Sequence, residues 1–393
     1  MNGVQLKGSA SSVSEVVITK VAGPEALATW LELPQVVLPS GSAYVPPLRL
    51  TERTRLSRTR NPFFKHSEAE FFIAFRNGQP VGRISAQVNS RHLARHKDGQ
   101  GQFGFFESID DQSVANALLN HAARWLRERG MRGMTGPFNL SINEECGVLV
   151  QGFDNAPTVM MPYSAPWQGK LAEAAGLAPV MDLHAYRMST QTIPPVIRWL
   201  ADSAFADSAI SIRSFDKRNF DAELAILVDI FNDSWYDNWG FIPFEVSDLH
   251  FLFGDLKLFL RSHYGKFVCI DGVPVGFAFA VPNINEIISN YNGRLLPLNW
   301  IKLVIALGLE RFRTGRLPLL GLRKEYQGSS RGAALFAALV KVSIEDIRAY
   351  RLDWIEFSWI LASNRPLITF LNAHFGLPSQ IYRLYGRTFD DGG

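Results

Sequence analysis

Two stretches of the chain show the same order of apolar runs and turn residues. The first reads FFIAFRNGQPVGRISAQV over 71–88, and the second reads KFVCIDGVPVGFAFAV over 266–281. Asn-Gly and Asp-Gly pairs suit two-residue hairpin turns, because both central residues adopt positive φ there. Asn77-Gly78 and Asp271-Gly272 stand between the apolar runs. Each stretch therefore predicts a β-hairpin.

A second pair of similar segments follows in the same order. LAEAAGLAP (171–179) resembles FLNAHFGLP (370–378), and in both pairs the copies lie about 200 residues apart. Two pairs of similar segments in the same order predict two copies of one fold, which agrees with the length of 393 residues. The predicted organisation is a flexible lead-in at 1–14, a first domain at 15–190, a linker at 191–209 and a second domain at 210–393.

Hydrophobic periodicity and cap residues predict the remaining elements, in the order strand, helix, hairpin, strand, helix, strand, helix, strand. This alternation indicates an α/β fold. The predicted strands outside the hairpins are 15–21, 101–109, 131–138, 211–215, 316–322, 352–360 and 381–389, and the predicted helices are 24–33, 113–129, 219–239, 245–261, 331–350 and 364–374.

One apolar segment has two interpretations. RLLPLNWIKLVIALGLERFR, at 294–313, carries aromatic and aliphatic residues around most of a helix and basic residues near its ends. It is either a buried helix or a helix that lies at a membrane surface, since such a composition suits the bilayer interface. The second interpretation predicts a peripheral membrane contact.

Composition excludes several classes of protein. A net charge of +3 is too small to indicate nucleic-acid binding. The two cysteines, Cys146 and Cys269, form no disulfide framework and no metal-ligand spacing. Because the N-terminus is polar, we expect no signal peptide. We expect a cytoplasmic protein, peripheral on the inner membrane if 294–313 is interfacial, and no bound metal.

A dense polar cluster follows the strand at 131–138. It lies within GPFNLSINEECGVLVQGFD, at 136–154. On extended backbone, residues two apart share a face. Glu144 and Glu145 are the candidate catalytic bases, and only one of them can enter a given site. Glu145 is favoured, with Asn143 beside it, while Asn139, Ser141 and Glu144 are candidates for substrate binding. The alternative is a polar loop that caps strand ends.

Other candidates are scattered along the chain. His66 precedes the first hairpin and forms either a proton relay with Glu68 or a turn. His184 and Tyr186 share a face of the last strand of the first copy, where they contact substrate or, for Tyr186, pack in the core. Glu286 follows the second hairpin and either contacts substrate or shapes its loop.

The turn after the strand at 316–322 has a recognisable composition. It lies in RKEYQGSSRGAALF, at 323–336, which resembles the pyrophosphate-binding turn of the GNAT superfamily of acyl-CoA-dependent N-acyltransferases. Backbone N–H groups at a helix N-terminus suit phosphate, and small residues allow its approach. The resemblance implies that acyl-CoA contacts Arg323, Gln327, Gly328, Ser329, Ser330, Arg331, Gly332 and, from the later Asn…Gly signature, Asn364.

The chain departs from the GNAT pattern at two points. Ser330 stands where glycine is usual, which puts the phosphate turn in question. Phe370 and Leu371 occupy the helix that carries a tyrosine general acid in many GNAT enzymes, so another group must protonate the leaving thiolate. The first copy has no glycine-rich counterpart of the turn, which implies that the second copy binds the CoA.

Segments 61–72 and 136–154 resemble a tandem GNAT-like family that includes the bacterial ceramide synthases, and the resemblance covers about 15–390. It implies two tandem GNAT-like domains, each with a mixed, mostly antiparallel sheet flanked by helices. It also implies transfer of a long-chain acyl group from acyl-CoA to the amine of a sphingoid-type base, without metal. The alternatives are a GNAT enzyme for a small amine or aminoacyl group, and a non-catalytic acyl-CoA- or lipid-binding protein.

Overall fold

The structure, a computed structural model, describes residues 15–253, 261–309, 312–349 and 352–389. The first half of the chain contains β1 (Val17–Lys20), α1 (Gly23–Val37), α2 (Arg49–Arg55), β2 (Ser67–Arg76), β3 (Gln79–Asn89), α3 (Ser90–His96), β4 (Gln100–Ser108), α4 (Gln112–Arg127), β5 (Gly133–Gly136), β6 (Val148–Gln151), α5 (Gln168–Ala174) and β7 (Ala178–Ser189).

The second half contains the counterparts of most of these elements. They are α6 (Pro195–Phe205), β8 (Ile210–Ser214), α7 (Phe220–Ser234), α8 (Val246–Phe253), β9 (Gly265–Ile270), β10 (Val273–Pro282), α9 (Asn285–Ile288), α10 (Asn299–Gly308), β11 (Thr314–Leu322), α11 (Ser330–Ala349), β12 (Trp354–Leu361), α12 (Arg365–Phe375) and β13 (Gln380–Thr388). The predicted lead-in at 1–14 and part of the predicted helix at 245–261 lie outside the described residues.

Both predicted hairpins are confirmed. β2 pairs with β3, and β9 pairs with β10, each in antiparallel register. Asn77 and Gly78 have φ of 51° and 75°, and Asp271 and Gly272 have φ of 49° and 78°. Two consecutive positive φ values are those of a type I′ turn, whose twist matches that of the flanking strands.

One sheet of thirteen strands runs through the described residues. Its order is β1-β2-β3-β4-β5-β13-β7-β12-β11-β10-β9-β8, and β6 also pairs with β13. The β4–β5 and β11–β12 pairs are parallel, and the other pairs are antiparallel. The predicted α/β class with a mixed, mostly antiparallel sheet flanked by helices is confirmed.

The two halves exchange their last strands. β7, from the first half, pairs with β12 of the second half, where Leu183 lies opposite Leu361. β13, the last strand of the chain, pairs with β5 of the first half, where Tyr385 lies opposite Gly136. β7 and β13 also pair with each other at the centre of the sheet. Each half is therefore completed by a strand of the other half.

Helices cover the sheet and bury separate cores in the two halves. The amphipathic helix α4 packs its buried side chains, among them Leu118, Leu119 and Leu126, against β2–β4. In the second half, α6 and α11 pack together on the sheet through Ala201, Leu335 and their neighbours. These cores fix the strands that surround the site.

The two parallel strand pairs separate at one end. β11 and β12 pair only from Thr314–Leu317 to Trp354–Phe357, after which an opening separates them. In the first half, the corresponding space beside β4 is filled by the chain that follows β5. Phe138 N donates to Phe103 O (2.7 Å), and Phe105 N donates to Asn139 Oδ1 (2.7 Å). The opening between parallel strands is thus blocked in the first half and open in the second.

Helix α10 is not buried, so that interpretation of 294–313 is wrong. Trp300, Val304, Ile305 and Leu309 are 46%, 43%, 49% and 57% exposed, whereas Ala306 and Leu307 face the core. Residues 310 and 311 of the segment lie outside the described part. No helix within the described ranges combines the length and hydropathy needed to cross a membrane.

Candidate functional site

The opening between β11 and β12 leads into a cavity between the two halves, here called the first cavity. Its wall is mainly aromatic and aliphatic, which suits an apolar ligand. The second half contributes Phe231, Trp235, Phe244, Leu319, Phe336, Phe357 and Trp359 among others. The first half contributes Asn143, Glu144 and Cys146. The polar segment of the first half thus meets the strand opening of the second.

A largely buried ion-pair cluster lies at the end of this cavity. Arg55 Nε contacts Glu144 Oε2 (2.8 Å), and Arg55 Nη1 contacts Glu145 Oε2 (3.1 Å). Glu52 Oε1 is 3.4 Å from the same guanidinium. Asn139 Nδ2 donates to Glu145 Oε2 (2.9 Å). Three carboxylates therefore share one largely buried cation.

The expected extended backbone over 139–145 is wrong. Glu144 N donates to Ser141 O (3.0 Å), so the segment turns, and Asn139 N donates to Glu145 O (2.8 Å) to close the loop. Because of this turn, the side chains of Glu144 and Glu145 converge on Arg55 instead of pointing to opposite faces. Side-chain alternation applies to strands and does not apply to this loop.

The two adjacent glutamates have different protonation behaviour. Burial raises the pKa of Glu144 to about 7, although Arg55 opposes this shift. Burial also disfavours ionisation of Glu145, but Arg55 and the Asn139 amide outweigh it and hold its pKa below the usual value. The loop thus holds one ionised carboxylate next to one that exchanges its proton near neutrality.

A second cavity reaches Glu144 from the side of the first half. It is lined by Asn61, Pro62, Phe63, His66, Asn89, Arg91, Ser141, Asn143, Glu144, Ile242, Phe244, Asp248, Phe251 and Leu252. Of the predicted residues, the structure therefore gathers His66, Ser141, Asn143 and Glu144 around this cavity. Asn139 and Glu145 lie behind them at the Arg55 cluster.

The predicted relay between His66 and Glu68 is absent. His66 Nδ1 shares a hydrogen bond with Ser67 Oγ (2.7 Å), whereas Glu68 Oε1 accepts from Arg129 Nη2 (2.8 Å). Burial, with help from the nearby Arg91, lowers the pKa of His66. His66 is accordingly a neutral side chain at pH 7 and can exchange hydrogen bonds within the second cavity.

Three predicted substrate ligands lie elsewhere. Leu183 lines the first cavity, and its neighbour His184 faces the other side of the sheet. Tyr186, on the same side as His184, is buried and donates its hydroxyl to Asn372 Oδ1 (2.9 Å), which confirms the core-packing alternative. Glu286 accepts from Arg313 N (3.0 Å) and from the Thr314 hydroxyl, so it shapes the start of β11.

The predicted phosphate turn lies directly before α11. Gln327 Nε2 donates to Leu322 O (2.8 Å) and to Ser234 O (2.9 Å), which holds the turn against β11 and α7. Ser329 Oγ accepts from Gly332 N (2.9 Å), and Gly328 has φ of 70°. The first-turn N–H groups of a helix have no intrahelical acceptor and favour an anion.

The cations of this turn already have acidic partners. Arg323 contacts Asp229, Arg331 contacts Asp207, and Lys324 contacts Asp237. The backbone N–H groups of the turn therefore suit a pyrophosphate, whereas its cationic side chains are already paired with aspartates. Asn364, the other predicted ligand, caps α12 by accepting from Leu367 N (3.4 Å) and lines the first cavity. Contact of these residues with acyl-CoA stays a prediction.

Sequence reasoning missed two arginines of the site. Arg55 stands in the arginine-rich segment RLTERTRLSRTR, but nothing in that segment indicates its partners. Arg316 is buried beside the first cavity, where it donates to Ser358 Oγ (2.9 Å) and to Val159 O (3.0 Å). Within the described ranges, no group of three His, Cys, Asp or Glu side chains is arranged to hold a metal ion.

No protein-family model matches the chain. It is 35% identical over 361 residues to Protein YghO of Escherichia coli (strain K12), covering 91% of this chain and 92% of that protein. It is 34% identical over 377 residues to the Bacterial ceramide synthase of Caulobacter vibrioides (strain NA1000 / CB15N), covering 95% and 98%.

A solved structure supports the same fold. The tandem GNAT protein from the clavulanic acid biosynthesis pathway superposes with a TM-score of 0.56 at 13% identity, covering 96% of this chain and 100% of that chain. At this identity the likeness concerns the fold alone. The solved structure shows that the chain has the tandem GNAT fold, and the second relative shows that the chain belongs to the family that includes the bacterial ceramide synthase.

Proposed function

We propose that this protein is an acyl-CoA-dependent N-acyltransferase that transfers a long-chain acyl group to the amine of a sphingoid-type base. The observation that carries the proposal is the apolar first cavity, which runs from the β11–β12 opening to a largely buried carboxylate, Glu144. Membership of the family supports an acyltransferase in general. The long-chain donor, the sphingoid acceptor and the product amide are our inference.

The acyl donor enters from the second half. The turn at 327–332 and the first N–H groups of α11 hold the pyrophosphate, and the pantetheine arm passes between β11 and β12. The donor supplies an activated acyl carbon as its thioester. Phe336 and Leu319, which line the first cavity, then contact the acyl chain. In the first half the blocked space beside β4 leaves no equivalent path, so we expect one acyl-CoA per chain.

Glu144 is the general base. A long-chain amine is protonated at neutral pH, since its pKa is roughly 10, and it must lose a proton before it attacks a thioester. Glu144 lines both cavities, and its pKa of about 7 lets it accept a proton and release it again. The proton that it takes from the amine is then available to the leaving thiolate, in place of the tyrosine that helix α12 lacks.

Arg55 and Glu145 act as positioning residues. Glu145 stays ionised and, with Asn139, fixes the guanidinium that orients Glu144. Asn143, with its amide anchored to Ile242 O (3.1 Å), turns its remaining oxygen to the amine. Glu145 itself, favoured by the sequence as the base, lines neither cavity.

Transfer is direct. Cys146 also lines the first cavity, but burial raises the pKa of its thiol well above the ordinary value, so a thiolate nucleophile does not form there. The neutral amine nitrogen bonds to the acyl carbon and the carbon–sulfur bond breaks. Of the two protons that the ammonium group loses on the way to the amide, one leaves with the CoA thiol and the other passes to solvent.

The protein works in the cytoplasm and contacts the inner membrane through α10. The exposed face of this helix, with Trp300, Ile301 and Ile305, carries Lys302 beside it and Arg294 before it, and both cations are exposed. Apolar side chains next to basic ones suit an anionic bilayer surface. Both substrates of the proposed reaction carry a long alkyl chain, and such chains partition into a bilayer.

An acylation assay tests the proposal. Purified protein is incubated with acyl-CoAs from acetyl to stearoyl and with sphinganine, 3-oxosphinganine or simple amines, and products are measured by mass spectrometry. We expect a long-chain amide that disappears in Glu144→Gln. Acetyl transfer to small amines alone would indicate the small-amine enzyme, and tight lipid binding without any product would indicate a binding protein.

A further inference from the structure

The second cavity offers a separate path to Glu144. Both cavities are lined by Asn143, Glu144, Phe244 and Leu252, so they meet at these side chains. The lining of the second cavity contains no residue of β11 or β12, the strands that border the first cavity. A molecule in the second cavity can therefore reach the carboxylate while an acyl donor occupies the first.

The wall of the second cavity has an apolar part and a polar part. Phe63, Ile242 and Phe251 form an apolar surface next to the point where the cavities meet. On the polar part, an ion pair joins α3 of the first half to α8 of the second. Arg91 Nη1 contacts Asp248 Oδ2 (2.6 Å), and the two side chains are only 18% and 16% exposed.

Arg91 and Asp248 keep hydrogen-bonding groups that their ion pair does not use. A guanidinium has five N–H donors, and the contacts of Arg91 with Asp248 and with Glu245 Oε1 (2.7 Å) use two nitrogens. Asp248 can also accept from a hydroxyl. With Glu144 and Asp248 against the single cation of Arg91, the cavity carries more acidic than basic groups. A ligand with an ammonium group next to a neutral oxygen matches this arrangement, because the ammonium group can contact Glu144 while the oxygen contacts Arg91 and Asp248.

We propose that the second cavity binds the polar head of the acceptor, an amine with a hydroxyl or carbonyl oxygen on a neighbouring carbon, and that Arg91 and Asp248 bind this oxygen. The inference rests on the proposed N-acyltransferase function and adds the determinant of acceptor specificity. Arg91 and Asp248 then distinguish an amino alcohol or amino ketone from a plain alkylamine, while Glu144 acts on the amine of either.

The test compares sphinganine with octadecylamine, which has the same chain length but no hydroxyl group. The full-length protein, Arg91→Met and Asp248→Asn are assayed with palmitoyl-CoA, and kcat/KM is measured for each acceptor. We expect both variants to lower kcat/KM for sphinganine about tenfold or more, since a buried hydrogen bond is lost. The value for octadecylamine should change far less.

Arg95→Met is the matched control. Arg95 lies on the same helix, donates to Tyr236 O (2.7 Å) of the second half and stacks on the Tyr236 ring, but it does not line the cavity. We expect it to leave the ratio of the two kcat/KM values unchanged. The inference is overturned if Arg95→Met shifts the ratio equally, or if the cavity variants weaken both acceptors in parallel.

Failure of the wider proposal gives a different result. If the unaltered protein acylates neither acceptor, the N-acyltransferase proposal itself is wrong. If Arg91→Met does not fold, Asp248→Asn decides the outcome, because the amide keeps the shape of the side chain and changes only its hydrogen bonding and charge. An unchanged sphinganine preference in that variant overturns the role of the ion pair.

Discussion

At the scale of single residues, the informative feature is the contrast between two neighbouring carboxyl groups. Glu144 and Glu145 contact the same guanidinium, yet burial raises the pKa of one and the pairing lowers that of the other. When two groups of like charge share one buried site, their pKa values move apart in this way. One of them can then move a proton while the other keeps the cation in place.

Substitution of each glutamate should separate the two roles. With a base whose pKa is about 7, activity falls as the pH drops below 7, because the base becomes protonated. Glu144→Gln should lower kcat about 100-fold or more and remove this acid limb. Glu145→Gln should keep the limb but move it to lower pH, because loss of a neighbouring negative charge lowers the pKa of Glu144. pH profiles of kcat check both.

The opposite pattern would restore the interpretation made from the sequence. If Glu145→Gln abolishes the acid limb and Glu144→Gln only shifts it, Glu145 is the base. Asp182→Asn provides a control, because this carboxylate pairs with Arg383 (2.7 Å) and lines neither cavity. Its pH profile should match that of the unaltered protein.

Residue by residue, the sequence indicated the polar loop but not its organisation. A run of polar side chains beside apolar strands is visible locally, so Asn139, Asn143, Glu144 and Glu145 could be selected. Arg55 could not, because it lies 89 residues before Glu144 and only the tertiary fold brings them together. The choice between the glutamates rested on extended backbone, whereas the chain turns there.

At the scale of elements, the turn before α11 is built with almost no free space. A Cβ atom on Gly332 would lie 1.9 Å from Tyr326 O, far closer than any real contact. The residue must be glycine for the turn to fold back onto the helix. The close contact at Gly332 exists without a ligand. A substitution there therefore tests whether acyl-CoA binding depends on the shape of the turn.

Gly332→Ala should therefore displace the turn and weaken acyl-CoA binding. We expect KM for acyl-CoA to rise about tenfold or more with a smaller change in kcat, because the proposed phosphate contacts are remote from the reacting atoms. Gly308→Ala is the control, since no atom lies within 4 Å of the Cβ that it would add. Equal KM values for Gly332→Ala and the unaltered protein would contradict a phosphate site at this turn.

Helix α10 makes a separate prediction. The double substitution Ile301→Ser with Ile305→Ser removes two exposed apolar side chains one turn apart. We expect binding to vesicles of phosphatidylglycerol and phosphatidylethanolamine to fall about tenfold or more, because burying an isoleucine contributes about 1.5–3 kcal/mol. Co-sedimentation measures the change. Trp199→Ser, which removes a 69% exposed side chain on α6, should have no such effect.

The elements that the sequence predicted are those with local signals. Both hairpins follow from their turn dipeptides, and α4 follows from its spacing and from Asp111, which accepts from Ser113 N and Val114 N. Helix α3 was missed although Asn89 caps it, because it begins directly after β3 without a break. Strand β6 was missed because it spans four residues inside a segment that reads as a polar cluster.

At the scale of the whole molecule, the halves depend on each other. β7 and β13 lie side by side at the centre of the sheet, and each belongs by sequence to the half on its far side. The repeat in the sequence does not reveal the strand exchange, because the similar segments would be the same whether or not the last strands were exchanged. Strand pairing over such separations is decided by tertiary packing.

Fragments should reveal this exchange. We expect residues 1–191 and 192–393, produced together as separate chains, to copurify as a folded complex, since α6 stays with α11 and the sheet re-forms through β7 and β13. Either fragment alone should lack cooperative unfolding. Circular dichroism during urea unfolding measures this, and a cooperative, monomeric 1–191 fragment would contradict the exchange.

The position of β13 also constrains the order in which the protein can be completed during synthesis. Residues of the first half leave the ribosome first, but the partner of β5 is β13, which is made after every other described strand. Until then β5 is an exposed edge, and unpaired edges are prone to join other chains. A nascent chain of this protein therefore carries an unfinished sheet until β13 emerges, which makes chaperone protection of that edge most important before then.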